Sequence, residues 1–133
     1  MKVLVLGATG MLGNAMLRLF AASPGFAAVG TARSAGLVAR LPEAVRPLVR
    51  LGVDVENIDQ LAAVLAAERP DAVINAIGLI KQLADAKDPL AALPVNALLP
   101  HRLARLCALS GARLVHVSTD CVFSGAKGGY VED

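Results

Sequence analysis

Apolar side chains come in two rhythms along this chain. Short unbroken runs alternate with longer stretches in which they return every three or four positions. Val3 to Leu6 is an unbroken run closing at Gly7, which predicts a strand buried on both faces. Beyond it, Leu12, Ala15, Met16, Leu19 and Phe20 fall at i, i+3, i+4, i+7 and i+8, with Asn14 and Arg18 opposite, which predicts an amphipathic helix. Ser23-Pro24-Gly25 ends that helix. Phe26 to Ala32 and Leu48 to Val53 read as the second and third strands, with a short helix between them. Asn57 is placed to cap a helix whose Ile58, Leu61, Ala62 and Leu65 share a face, Gln60 is placed to reach back, and Pro70 marks the end. Ala72 to Ile74 give a fourth strand. A loop from Gly78 leads into a helix over Leu93 to Leu109, which Pro100 should bend or shorten. Leu114 to Val117 make a fifth, buried strand, and Ser124 to Gly129 a glycine-rich loop.

Strands alternating with helices imply right-handed crossovers and an α/β architecture. The expected form is a doubly wound parallel sheet of order 3-2-1-4-5 with helices on both faces. Ligands of such sheets sit at the carboxyl ends of the strands. Three segments rich in polar or small residues fall there: Gly7 to Gly13, Asn75 to Gly78, and Ser118 to Asp120.

The composition narrows the classes. A chain of 133 residues suits one domain, and 56% apolar with only 3% aromatic residues means a core of Ala, Val, Leu and Ile. Thirteen basic and eleven acidic residues are scattered rather than striped, which argues against a nucleic-acid partner. Glycines, prolines and charges interrupt every candidate membrane span below the roughly 18 residues needed. Cys107 and Cys121 have no metal-ligand spacing, so no metal is expected; buried packing and a reducing cytoplasm are the simpler reading.

Gly7-Ala8-Thr9-Gly10-Met11-Leu12-Gly13 puts three glycines where a strand turns into a helix. The backbone can turn sharply there and approach a pyrophosphate without Cβ clashes, and the helix N-terminus offers unpaired N–H groups to the anion. With its strand before and amphipathic helix after, this is a Rossmann-type dinucleotide turn. The second strand ends in Thr31-Ala32-Arg33-Ser34 where an NAD-preferring site would carry an acid. Arg33 suits the ribose 2′-phosphate of NADP, so NADP(H) is expected over NAD(H), against the plainer reading of a solvated arginine. Asn75-Ala76-Ile77-Gly78 brings an amide and a close-approaching backbone to the sheet top, or simply ends a strand. Ser118, Thr119 and Asp120 set hydroxyls and a carboxylate beyond the fifth strand, able to polarise a carbonyl or to bond local backbone. His116 reads as a packed strand residue and His101 as an exposed helix residue.

GATGMLG at the start, Asp54-Val55, NAIG from Asn75, VNALLPHRLARLC around Asn96, and VSTDCVFSG from Val117 together resemble the extended short-chain dehydrogenase/reductases, most closely their dTDP-4-dehydrorhamnose reductase branch. The resemblance implies that Gly10, Met11 and Leu12 contact the pyrophosphate. It implies too that Asp54 and Val55 flank the adenine and that Ala76 to Gly78 border the nicotinamide ribose. It gives Asn96 a supporting role in a proton relay, Thr119 the substrate carbonyl, and Asp120 a place in the sugar site. Thr9 and Gly13 complete the cofactor turn.

In that family a YxxxK pair supplies the proton as hydride arrives. No YxxxK occurs here, and Tyr130 has no residue four positions on. The chain is therefore expected to be a partial reductase whose carboxyl-terminal substrate part is absent, and inactive alone. The Ile80-Lys81-Gln82 segment departs from the branch's usual run and leaves the sugar open, with Lys81 either meeting a substrate phosphate or solvated. The leading expectation is an NADP-dependent reductase of a nucleotide-linked 4-keto-6-deoxy sugar, cytoplasmic, with a homodimer left open. An epimerase or dehydratase of the same family and a non-catalytic nucleotide-binding regulatory module are the alternatives.

Overall fold

The computed structural model describes residues 1–80, 88–119 and 123–131. Among them, β1 (Lys2–Leu6), β2 (Ala27–Ala32), β3 (Val49–Leu51), β4 (Ala72–Asn75) and β5 (Arg113–His116) form one parallel sheet in the order β3-β2-β1-β4-β5. This is the expected order. Central β1 has Leu4 opposite Val29 on one side and Val73 on the other. The helices are α1 (Met11–Ala22), α2 (Ala35–Val38), α3 (Ile58–Glu68), α4 (Pro89–Ala92) and α5 (Leu99–Ser110). A 3₁₀ turn spans Glu43–Leu48, and a widened π turn over Leu93–Leu98 joins α4 to α5.

Period-two alternation sorts the residues of β1 to two faces. Val3 and Val5, with Ile74, meet Met16 and Phe20 of α1. Leu4 and Leu6, with Val29 and Val73, meet Leu61, Val64 and Leu65 of α3 and Leu99, Leu103 and Cys107 of α5. Both faces are covered, which is why the strands read as unbroken apolar runs. Each fully buried leucine contributes about 1.5–3 kcal/mol. Cys107 is packed as expected, and burial pushes its thiol pKa up.

Two helical faces are rotated from those expected. In α1 the buried positions are Gly13 and Leu17, while Ala15 and Leu19 face solvent. A Cβ at Gly13 would overlap the carbonyl oxygen of Gly7, so the helix rests on the turn at that residue, and Leu17, one turn on, follows it inward. In α3 the buried stripe is Leu61, Val64, Leu65 and Glu68, and Ile58 and Ala62 lie outside. This stripe keeps helical spacing but admits a carboxylate, which Lys2 and Arg50 neutralise from the sheet.

The helix expected from Leu93 begins earlier, at Pro89, because the Asp88 carboxylate accepts from Leu90 N at 2.9 Å and proline fits the first helical turn. Pro100 neither ends the helix nor shortens it. It lacks the N–H that the residue 96 carbonyl would take in an α-helix, and the turn just before it is widened, with Leu99 N–H reaching back to Pro94 O. β5 is not the buried strand expected: Arg113, Val115 and His116 are exposed. It stands last in the order, and among the described residues its pairing partner is β4 alone.

Candidate functional site

The carboxyl ends of the strands open into a cleft of about 460 Å³. Its walls come from the turn after β1 (Gly7, Thr9, Gly10), the end of β2 (Thr31, Ala32, Arg33), residues 53–56 after β3, and residues 76–79 after β4. Ala91 of α4 and Val95 of the π turn close one side. Because β1 lies between β2 and β4, the glycine turn divides the cleft into a β2/β3 half and a β4 half.

The turn is built for close approach. Gly7 has φ of +82°, and Gly10 N donates to Gly7 O at 3.0 Å. Gly10 is the N-cap of α1 and offers no side-chain cap, so the orphan N–H groups of the first helical turn stay available at the positive end of the helix. A Cβ on Gly10 would meet only Gly7 O at 3.4 Å, whereas one on Gly13 would collide with backbone. Gly13 is thus required by the fold, whereas Gly10 leaves the start of α1 open. Met11 is 93% exposed beside it, and Leu12 is partly buried behind the wall.

On the β2/β3 half, Arg33 is exposed next to the buried Thr31. Ala8 N donates to Thr31 O and Val53 N to Ala32 O, stitching the three strand ends together. Asp54 is fixed from three directions: its carboxylate accepts from Glu56 N at 3.1 Å, its N–H donates to Gln60 Oε1 at 2.7 Å, and its carbonyl accepts from Asn57 N. Asn57 caps α3 as expected, accepting from Asp59 N and Gln60 N. The side chain of Gln60 does reach back, but to Asp54 rather than to the cap. Val55 is buried beneath this segment.

On the β4 half, Asn75 is wholly buried behind the wall that Ala76, Ile77 and Gly78 form. Its Oδ1 accepts from Ile77 N at 3.2 Å, and its Nδ2 lies 3.1 Å from His116 Nδ1. Asn96, itself exposed, grips one residue by both its backbone groups, accepting from Leu79 N at 2.8 Å and donating to Leu79 O at 2.9 Å. Ser118 and Thr119 follow β5, exposed and off the cleft wall. Asp120, Lys81, Gln82 and Cys121 lie outside the described residues. His101 is exposed as expected; His116 is exposed rather than packed, and is held through Asn75.

Farther along, the Tyr130 ring stacks on Phe123 at 4.5 Å. Its hydroxyl lies 3.2 Å from Ser124 Oγ, a hydrogen bond that lowers the phenol's pKa. Among the described residues, no group of three His, Cys, Asp or Glu side chains could hold a metal ion, and no helix is long and apolar enough to cross a membrane. Sequence reasoning reached Thr31 as a hydroxyl beside Arg33, and missed Ala32, Val53, Glu56, Leu79, Ala91 and Val95 as wall residues. Ala32 and Val53 sit at or just past strand ends and were within reach of the carboxyl-end rule. Ala91 and Val95 depend on how a distant helix folds back.

The RmlD substrate binding domain model matches residues 1–133. The chain belongs to that family. A dTDP-4-dehydrorhamnose reductase of Burkholderia thailandensis is 32% identical over 133 residues, covering 99% of this chain and 38% of that protein. A solved structure described as a hypothetical dTDP-4-dehydrorhamnose reductase from Sulfolobus tokodaii has a TM-score of 0.76 at 26% identity, covering 100% of this chain and 44% of its own. The Bacillus anthracis dTDP-4-dehydrorhamnose reductase, solved in complex with NADP, has a TM-score of 0.69 at 26% identity, covering 93% of this chain and 38% of its own. The chain thus spans well under half the length of the relatives it matches. Family membership agrees with the resemblance carried by GATGMLG and VSTDCVFSG.

Proposed function

We propose that residues 1–133 form the dinucleotide-binding domain of an NADP(H)-dependent reductase acting on a nucleotide-linked 4-keto-6-deoxy sugar in the cytoplasm. The observation that carries this reading is the uncapped start of α1 at Gly10, lying in one cleft between Arg33 and the 76–79 wall. The residues fit the cofactor. A pyrophosphate meets first-turn N–H groups at Gly10, with Thr9 alongside, and no Cβ stands in its way. Arg33 offers a guanidinium to the ribose 2′-phosphate, the Asp54-Val55 segment borders the adenine, and Ala76 to Gly78 line the nicotinamide ribose.

When bound, the nicotinamide supplies hydride. This chain's own contribution is to orient the dinucleotide and to present hydroxyls beyond β5. Thr119 donates to the substrate carbonyl and stabilises the developing alkoxide, with Ser118 and Asp120 in the sugar site. Asn96, which holds Leu79 by both its N–H and its carbonyl, takes the supporting role in the proton relay that the resemblance implies. The Burkholderia and Bacillus relatives, named as reductases of a dTDP-linked keto sugar, support the substrate class.

Calorimetric titration with NADPH tests the reading. The parent chain should bind, and Gly10→Val should fold normally yet show no detectable binding, since its side chain fills the anion's place while its Cβ meets no backbone closer than 3.4 Å. Unchanged affinity in a folded Gly10→Val variant would sink the assignment.

A further inference from the structure

We propose that His116 is a positioning residue for the nicotinamide half of the cleft, holding the turn at residues 76–78 in place through the buried amide of Asn75. This rests on the dinucleotide reading above.

Only one orientation of the Asn75 amide satisfies its surroundings. Ile77 N–H is a fixed donor, so the Asn75 atom facing it at 3.2 Å must be Oδ1. The amide nitrogen then faces His116 Nδ1 at 3.1 Å and needs an acceptor there. The bond therefore requires the tautomer in which His116 Nδ1 accepts and the ring proton sits on Nε2. Asn75 is wholly buried, so losing the His116 acceptor leaves its amide N–H poorly satisfied. Without an acceptor at residue 116, the amide either keeps an orphaned N–H or flips, and a flipped amide sets donor against donor at Ile77.

The consequence falls on one part of the site. A Cβ on Gly7 would come within 2.7 Å of Ile77 Cγ1, so the turn packs directly on the glycine turn at the cleft floor. Asn96 pins the next residue, Leu79, from both sides, which confines any displacement to residues 76–78. Arg33, Asp54 and Val55 hang from β2 and β3, on the far side of β1, and among the described residues share no hydrogen bond with this network. The hydrogen bonds thus tie His116 to the residue 76–78 side of the cleft, and selective weakening of the nicotinamide half is what the proposal expects.

The test compares the parent chain with His116→Leu, which removes the acceptor, and His116→Asn, whose carbonyl oxygen stands as many bonds from the backbone as imidazole Nδ1. Each is titrated with NADPH and with 2′,5′-ADP, which lacks the nicotinamide half. Leu should weaken NADPH by about tenfold, the scale of one unsatisfied buried donor, and leave 2′,5′-ADP within about twofold. Asn should restore most of the NADPH affinity. Nitrogen-detected NMR of the parent imidazole should show His116 protonated at Nε2. Equal weakening of both ligands, whether from unfolding or from a change across the whole cleft, overturns the proposal. So do an unchanged NADPH affinity in Leu, no rescue by Asn, or a proton on Nδ1. A parent that binds neither ligand overturns the dinucleotide reading and this proposal with it. A parent that binds both, with unselective variants, overturns only the role of His116.

Discussion

At the amino ends of the strands charged groups close on one another, whereas at the carboxyl ends polar groups are left facing a cleft. Lys2 Nζ meets Glu68 at 2.7 Å, and Arg50 reaches the same carboxylate from β3. The Asp71 carboxylate accepts Lys2 N–H, and the amino terminus donates to Gly25 O. Opposite, α1 starts without a side-chain cap, and Arg33 stands exposed on the cleft wall. Donors kept open in one place make an anion site at some cost to stability. Stability and binding should therefore separate when the two ends are mutated.

The sharpest break falls where the two roles meet inside the glycine turn. Gly13→Ala places a Cβ against the Gly7 carbonyl and the Ala8 backbone, so α1 must move off the sheet. We expect a loss of about 3 kcal/mol or more in urea unfolding, together with loss of NADPH binding. Gly10→Ala, only three residues away, should stay within about 1 kcal/mol of the parent. A stable Gly13→Ala variant would show that the open end does not depend on this contact.

Arg33 probes the open end without touching the fold, because the side chain is exposed and faces the cleft. In Arg33→Ala, NADPH binding should weaken by about 1.5–3 kcal/mol, the scale of a charged hydrogen bond, with little change for NADH or in the melting temperature. Equal losses for both cofactors in calorimetry would remove Arg33 from the proposed 2′-phosphate contact and leave the proposed preference for NADP without its anchor.

Much of this was legible from local pattern, and the rest failed for identifiable reasons. Strand order followed from unbroken apolar runs such as Val3 to Leu6, each broken by glycine, proline or a polar turn. The cleft's glycine turn, Arg33 and residues 76–78 followed from their places at strand ends, and Asp54 and Val55 from the family resemblance. The face of α1 did not, because Leu12, Met16, Leu17, Leu19 and Phe20 leave more than one apolar stripe to choose from. The choice was made by a backbone contact between Gly13 and Gly7. The exposure of β5 was hidden because an apolar run does not reveal whether a neighbour covers it. Asn75 was legible as a strand-end amide, but its bond to His116 spans 41 positions and needed the β4–β5 register. Glu68 stands seven positions beyond Leu61 on the buried stripe, yet it was not among the residues read as that helix's inner face.

That carboxylate gives the smallest and most selective test, at the closed end. Glu68 is 8% exposed, and the Lys2 hydrogen bond, reinforced by Arg50, lowers its pKa below the ordinary 4.5 despite an opposing contribution from burial. A carboxyl whose folded pKa is depressed binds fewer protons folded than unfolded, so it adds stability above the unfolded value. That stability is fully present above about pH 4.5 and is lost as pH falls through the lower folded value. Glu68→Gln keeps the shape and removes the charge, so it should cost about 1–2 kcal/mol at neutral pH. The figure is discounted because Lys2 and Arg50 keep 34% and 45% of their side chains in water. Urea melts of parent and variant across pH 2 to 7 should show that gap closing in acid, while NADPH affinity at neutral pH stays the same. A gap that does not change with pH would mean that ionisation of Glu68 is not what holds this end. A parallel loss of NADPH affinity would mean that the two ends of the sheet are not separable after all.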